Sequence, residues 1–246
     1  ASITMYILCF RSKELSLRID TGRFLPTWGV VKRALHISLP MGLQQTIMCS
    51  AYVMTTIIIA PLGTFAIAAN SFGIIIESLC YMPGYGIADA ATTLVGQSMG
   101  AGRHELMKRF AWLSVGLGVT VMAVMGVVMY VGAPTAMAMM TPAEEVRRLG
   151  VEVLRIEAFA EPMFAAAIVS YGVFVGAAKT LVPSIMNLVS IWGVRISLAA
   201  MLAPSMGLRG VWIAMCIELC FRGLIFLVKL KFWNIQTSCK HYGKDQ

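Results

Sequence analysis

Between Ala34 and Ile76 the chain runs for 43 residues without one Asp, Glu, Lys or Arg. A helix needs about 20 apolar residues to cross the hydrocarbon of a bilayer, so this run is long enough to cross twice. Pro61-Leu62-Gly63-Thr64 supplies the turn between the two crossings. Only 13% of the 246 residues are charged and 58% are hydrophobic, whereas a soluble domain carries about 25% charged residues. The fold class expected is therefore all-α, a polytopic membrane helix bundle.

Residues 34–60 and 65–95 form the first two full spans, and 110–132 the third. A loop with an amphipathic entry occupies 133–148, marked by Pro134, Pro142, Glu144, Glu145, Arg147 and Arg148. Spans at 150–175, 183–203 and 210–230 follow, with a short turn at 176–182. The opening ASITMYILCF, residues 1–10, is half a span that starts with neither Met nor a basic region, which reads as a sequence lacking an N-terminal part. Six complete transmembrane helices plus the end of a seventh are expected. Residues 11–33 form a basic polar segment and 231–246 a basic tail.

A net charge of +8 raises the question of nucleic acid, and the position of the charge decides against it. If alternate ends of the spans share a side, fourteen basic residues fall on one side: Arg11, Lys13, Arg18, Arg23, Lys32, Arg33, Arg103, Lys108, Arg109, Lys179, Lys229, Lys231, Lys240 and Lys244. The other side holds Arg147, Arg148 and Arg209. Such an asymmetry marks the cytoplasmic side against an anionic leaflet, so the lipid bilayer is the expected partner and the C-terminus is cytoplasmic.

Chemistry that needs a cofactor finds little support. LVGQSMGAGR, residues 94–103, has the glycines of a phosphate loop, yet Gly102 is followed by Arg103-His104 instead of Lys-Ser/Thr. The six cysteines include no CxxC pair, and His36, His104 and His241 stand near span ends or in polar segments. No metal site, zinc-protease motif or buried Ser-His arrangement is expected, and the chain reads as a non-enzyme.

Five segments carry a resemblance: SLPMGLQQ (38–45), YMPGYGIADAATTLVGQSMGAGR (81–103), RIEAFAEP (155–162), YGVFVGAAKTLVPSIMN (171–187) and WGVRISLA (192–199). In this order they resemble the C-terminal half of a multidrug and toxic compound extrusion (MATE) transporter. The matching positions are Pro40, Pro83, Gly86, Gly96, Gln97, Gly100, Gly102, Pro162, Gly172 and Gly176. The resemblance implies one lobe, 34–230, of a two-lobe 6+6 antiporter in a bacterial cytoplasmic (inner) membrane, with 11–33 as the inter-lobe linker. It implies export of small organic, often cationic, compounds in exchange for H+ or Na+, with an absent N-terminal lobe as partner. Sodium-coupled, NorM-like members carry carboxylates where this chain has Met48 and Phe164, so the pattern is closer to a DinF-like branch. The family's GAGDT turn reads Gly176-Ala177-Ala178-Lys179-Thr180 here. A lipid-linked glycan flippase of the same superfamily and a non-transporting scaffold bundle are the alternatives.

Ionisable groups inside spans are costly, about 2.5–3.5 kcal/mol at the centre, and are functional candidates for that reason. Glu157 and Glu161 lie one turn apart on one helix face beside Pro162. Two carboxylates in a low-dielectric site favour a proton or another cation between them. Glu77 is either a vestibule carboxylate or a group at the outer interface. Asp89, deeper in the same span, needs a partner or a proton. Arg195, mid-span, is expected to bridge to one of these acids. Glu218 and Arg222, at i and i+4, are expected to pair, with Arg222 free to snorkel towards the cytoplasm. Gln44 and Gln45 are one turn past Pro40, where they hydrogen-bond either substrate or a neighbouring helix.

Overall fold

The structure is a computed structural model and describes residues 28–233. The half-span at 1–10, most of the linker at 11–33 and most of the tail at 231–246 lie outside the described residues. Helix α1 spans Trp28–Ile59, and a 3₁₀ turn at Ala60–Leu62 leads to α2 (Thr64–Gly100). Then come α3 (His104–Met140), α4 (Glu144–Ala158) and α5 (Glu161–Gly176). The last two are α6 (Leu181–Met206) and α7 (Leu208–Lys231). By contacts the chain divides at Pro40; before it the described backbone, from Trp28, is helical, and everything below concerns the unit from Met41 onward.

Among the described residues five helices are long and apolar enough to cross a membrane: Gly42–Leu62, α2, α3, α6 and α7. The expected fourth span is broken. Its halves α4 and α5 meet at 57° and satisfy the length and hydropathy requirement only as a pair. Pro162 explains the break, because it has no N–H to donate and its ring clashes with the carbonyl four residues back, at Ala158. The Ala160 N–H bonds to the Glu157 carbonyl at 2.8 Å, closing a tight turn, and Pro162 opens α5 within its first turn, where a missing donor costs nothing.

Pro134, by contrast, does not end its helix. The loop expected from residue 133 begins only at Thr141, since Ala133 and Met137 are fully buried and carry the last two turns of α3 into the core. Likewise α2 continues through Pro83 to Gly100. The glycine cluster is thus mostly helix, and the turn itself is Ala101-Gly102, with Gly102 at φ +68° in the left-handed region that suits glycine.

At the centre is α5, packed against α2, α3 and α7. Its buried residues are mostly small, Ala165, Ala166, Ala167, Val169 and Val173, with Phe164 and Phe174 the large exceptions. Gly172 and Gly176, four apart, bring α5 against the α2 backbone, where the Thr92 hydroxyl donates to the Gly172 carbonyl at 2.9 Å. Small residues at this spacing let membrane helices approach closely. Trp212 of α7 fills the space between α7 and α2 and donates to Asn70 Oδ1 at 3.1 Å. Past Met41, α1 is held by polar contacts: Gln44 Oε1 accepts from Tyr171 and Ser184, and Trp192 Nε1 donates to the Ile47 carbonyl.

Candidate functional site

The break between α4 and α5 places two carboxylates on either side of it. Glu157 is in the last turn of α4 and Glu161 opens α5, and each is only 1% exposed. Their burial follows from the packing of α4, whose Val153, Leu154 and Ala158 face the core with Glu157. Glu157 Oε2 and both oxygens of Glu161 have no hydrogen-bond donor. A buried polar atom without a partner costs about 1–3 kcal/mol, and more when it is charged. These oxygens therefore form a place that lacks positive charge.

Other helices contribute the rest of the cluster. Glu77, half-buried on α2, interacts electrostatically with Arg195 and Arg222. Glu157 interacts with Glu77, Arg195, Glu161 and Glu218, while Glu161 feels the like charge of Glu77. Glu77, Glu157, Arg195 and Glu218 each lie roughly a dozen residues, about 18 Å of helix, from the turns at Gly63, 141–143 and Gly207. Three acids and one guanidinium thus lie at similar distances from these turns, with Glu161 and Arg222 in electrostatic contact with the group.

The expected Glu218–Arg222 pair forms, with Nε to Oε1 at 3.1 Å, and Ser190 donates to the same Oε1 at 2.6 Å. Arg222 does not snorkel: it is 7% exposed, and its guanidinium lies 5.7 Å from the Phe164 ring centroid. Arg195 departs from expectation as well. Among the described residues it closes no ion pair; it contacts Met215 Sδ and lies 5.8 Å from the Tyr52 ring centroid. Its place is set by a π-helical turn, Ser190–Ile196, inside α6, a wide turn often found at functional sites. Beside it is a cavity of about 50 Å³ lined by Tyr52, Thr55, Asn70, Ile74, Arg195 and Trp212, room for a water molecule or small ion.

The remaining candidates lie elsewhere. Asp89 is exposed on the free face of α2 with Pro83, Tyr85 and Gly86, not buried among partners. Gln44 bonds to neighbouring helices, and Gln45 is exposed. Pro40 lies within α1, Gln97 is exposed near the end of α2, and Gly100 is one residue before the turn. Gly96 faces the Gly176 carbonyl, so it belongs to the α2–α5 crossing. Met48 lines a small cavity with Tyr52 and Arg195, and Phe164 packs edge-on against Tyr81 and Tyr85. Among the described residues no three His, Cys, Asp or Glu stand close enough to ligate one metal ion. Sequence reasoning did not single out Arg155, which falls within the span expected at 150–175 and whose guanidinium is 5.1 Å from the Tyr130 ring centroid.

Comparison with known proteins agrees with the fold. A probable multidrug resistance protein NorM of Xylella fastidiosa is 28% identical over 227 residues, covering 91% of this chain and 48% of its own. The chain spans about half the length of the curated relatives it matches. A MOP superfamily transporter from Pyrococcus furiosus superposes with a TM-score of 0.81 at 17% identity, over 94% of this chain and 53% of that one. A MATE structure in the straight conformation gives 0.84 at 18% identity, over 97% and 54%. At such identities the superpositions show the fold, which is that of one lobe of these transporters. The MatE family model matches residues 40–201, well over half of the chain, and this multi-pass membrane protein belongs to the MATE family, whose members are transporters and not enzymes.

Proposed function

We propose that this chain forms one lobe of a secondary active antiporter that exports small organic, often cationic, compounds. The observation that carries the reading is the pair Glu157 and Glu161, buried on either side of a break in a membrane span with three carboxylate oxygens unpartnered. An uncompensated buried charge costs several kcal/mol, so this pair is stable when it holds a proton or another cation and poised to change when that charge leaves. Glu77 and Arg195 tune it from α2 and α6. Of H+ and Na+ we take the proton as the exchanged ion, because protonation alone compensates the unpartnered carboxylate oxygens without further ligands.

The reading extends to the whole transporter. A partner lobe completes the central path, and rocking of one lobe against the other opens it alternately to each side. Residues 1–10 then end a helix of that lobe, 11–33 link the two, and 231–246 form a cytoplasmic tail. The basic asymmetry supports a bacterial inner membrane with the C-terminus inside. The assignment to a DinF-like branch rests on Met48 and Phe164 alone. A flippase for a lipid-linked pyrophosphate would hold free cations in its cavity, whereas Arg195 interacts with Glu77 and Glu157.

The test is Glu161→Gln in the full-length transporter, reconstituted in proteoliposomes with a pH-sensitive dye inside. Substrate-driven proton movement is expected to fall at least tenfold while the protein still inserts and binds substrate. Exchange at the original rate would refute the assignment.

A further inference from the structure

Away from the acidic cluster, the bend between α4 and α5 leaves an open groove of about 330 Å³ between α3, α4 and α7. Its walls are Tyr130, Ile156, Phe159, Ile213 and Ile217, with Arg155 at the rim. The volume is that of a site for a chain-like apolar group. Tyr130 and Phe159 meet edge-on with centroids 5.9 Å apart, and Phe159 is 72% exposed. No described residue fills the groove.

The rim is cationic. Arg155 is exposed and, among the described residues, closes no ion pair; its guanidinium lies over the Tyr130 ring, 5.1 Å from the centroid. One turn earlier, Glu152 is already taken by Arg209 through two hydrogen bonds, at 2.6 and 2.5 Å. Arg148, a further turn back, is exposed on the same face. Glu157, Val153 and Leu154 hold the opposite face of α4 against the core, so these arginines look out of the lobe. An unpaired guanidinium in a membrane-spanning bundle is costly unless it reaches a phosphate, and its planar fork suits phosphate oxygens.

We propose that this groove binds an anionic phospholipid, with the phosphate on Arg155 and one acyl chain along Ile156, Phe159, Ile213 and Ile217. Charge and shape together choose the ligand: the apolar wall takes the chain of any lipid, and the unpaired cation selects for negative charge. The site does not depend on the antiport reading.

The experiment uses the full-length transporter in neutral detergent, with phosphatidylglycerol or phosphatidylcholine added and retained lipid read by native mass spectrometry. The unaltered protein is expected to retain phosphatidylglycerol in preference to phosphatidylcholine. Arg155→Gln should lower phosphatidylglycerol retention at least fivefold and leave phosphatidylcholine unchanged. Arg103→Gln, on the turn at the other end of the bundle, should change neither. If Arg155→Gln does not fold, Phe159→Ala serves instead, and retention of both lipids should fall. Equal retention of the two lipids by the unaltered protein, or undiminished retention by these groove variants, would overturn the proposal, as would an acidic segment of the protein crosslinking to position 155 in place of lipid.

Discussion

Gly172→Ala adds one methyl group at the tightest part of the helix frame. A Cβ there would stand 2.6 Å from the Ala88 carbonyl oxygen and 3.0 Å from Thr92 Oγ1. Ordinary contact is about 3.4 Å, so α2 and α5 must part by roughly 0.8 Å, an overpacking that costs about 1–3 kcal/mol. Parting also strains the Thr92 to Gly172 hydrogen bond, worth about 0.6 kcal/mol in membrane proteins. Against this, alanine is the better helix residue by about 0.5–1 kcal/mol. The net expectation is a loss of about 0.6–3 kcal/mol. Gly116→Ala is the control, because no atom outside its own turns lies within 4 Å of the added carbon, and the propensity gain of about 0.5–1 kcal/mol should appear unopposed. Unfolding of the full-length protein in bicelles by titrated denaturing detergent measures both. Equal stabilities for the two variants would refute the claim that the Gly172–Gly176 crossing is closed by backbone contact.

Glu218→Gln leaves the Arg222 guanidinium buried without its counter-charge and should destabilise by about 3–5 kcal/mol, while Glu218→Met with Arg222→Met should recover most of the loss; the same titration reads both. Ala178 holds φ +55°, where a side chain costs about 1–2 kcal/mol relative to glycine. Ala178→Gly relieves that and loosens the unfolded chain by about 0.4–1 kcal/mol, so a net stabilisation of about 0.5–1 kcal/mol is expected, and a decrease would show that the turn does not need the left-handed conformation.

The spans were legible because their signal is additive: a run without charge such as Ala34–Ile76 admits few structures. Breaks were less so, since a proline's effect depends on what lies beyond it. Pro162 is preceded by two buried acids, Glu157 and Glu161, and splits its span, while Pro134 is carried through by Ala133 and Met137. A single sequence shows both as the same residue in a helical pattern. The pairing of Glu218 with Arg222 could be read from helical spacing, whereas the single helix face expected for Glu157 and Glu161 is lost to the 57° break between them. What spacing cannot give is which face of a helix meets which neighbour. Asp89 and Glu77 share α2, yet one faces out and the other joins the cluster. Arg195 reaches its place through a π-helical turn, which has no sequence signature and shifts every later side chain of α6 around the axis relative to an unbroken 3.6-residue pattern.

The two halves of the site are supported differently, and the difference bears on how it works. The acids are backed by close crossings: Gly126 of α3 against the Ala158 carbonyl, Gly223 of α7 against the Met163 carbonyl, and Gly172 against Ala88. Close packing of this kind resists displacement, because any shift opens voids or makes clashes. Arg195 stands instead on a widened turn, beside small cavities that it shares with α1. Past Met41, α1 is joined to α5 and α6 through side-chain hydrogen bonds at Gln44 and Ile47 rather than through a glycine crossing. Few buried apolar contacts and adjoining voids mark the parts of a structure that open at lowest cost. When the charge on Glu157 changes, the carboxylates hold their position and the guanidinium side has room to respond. In the proposed antiport cycle that assigns ion binding to the α4–α5 break and the resulting movement to α6 and α1.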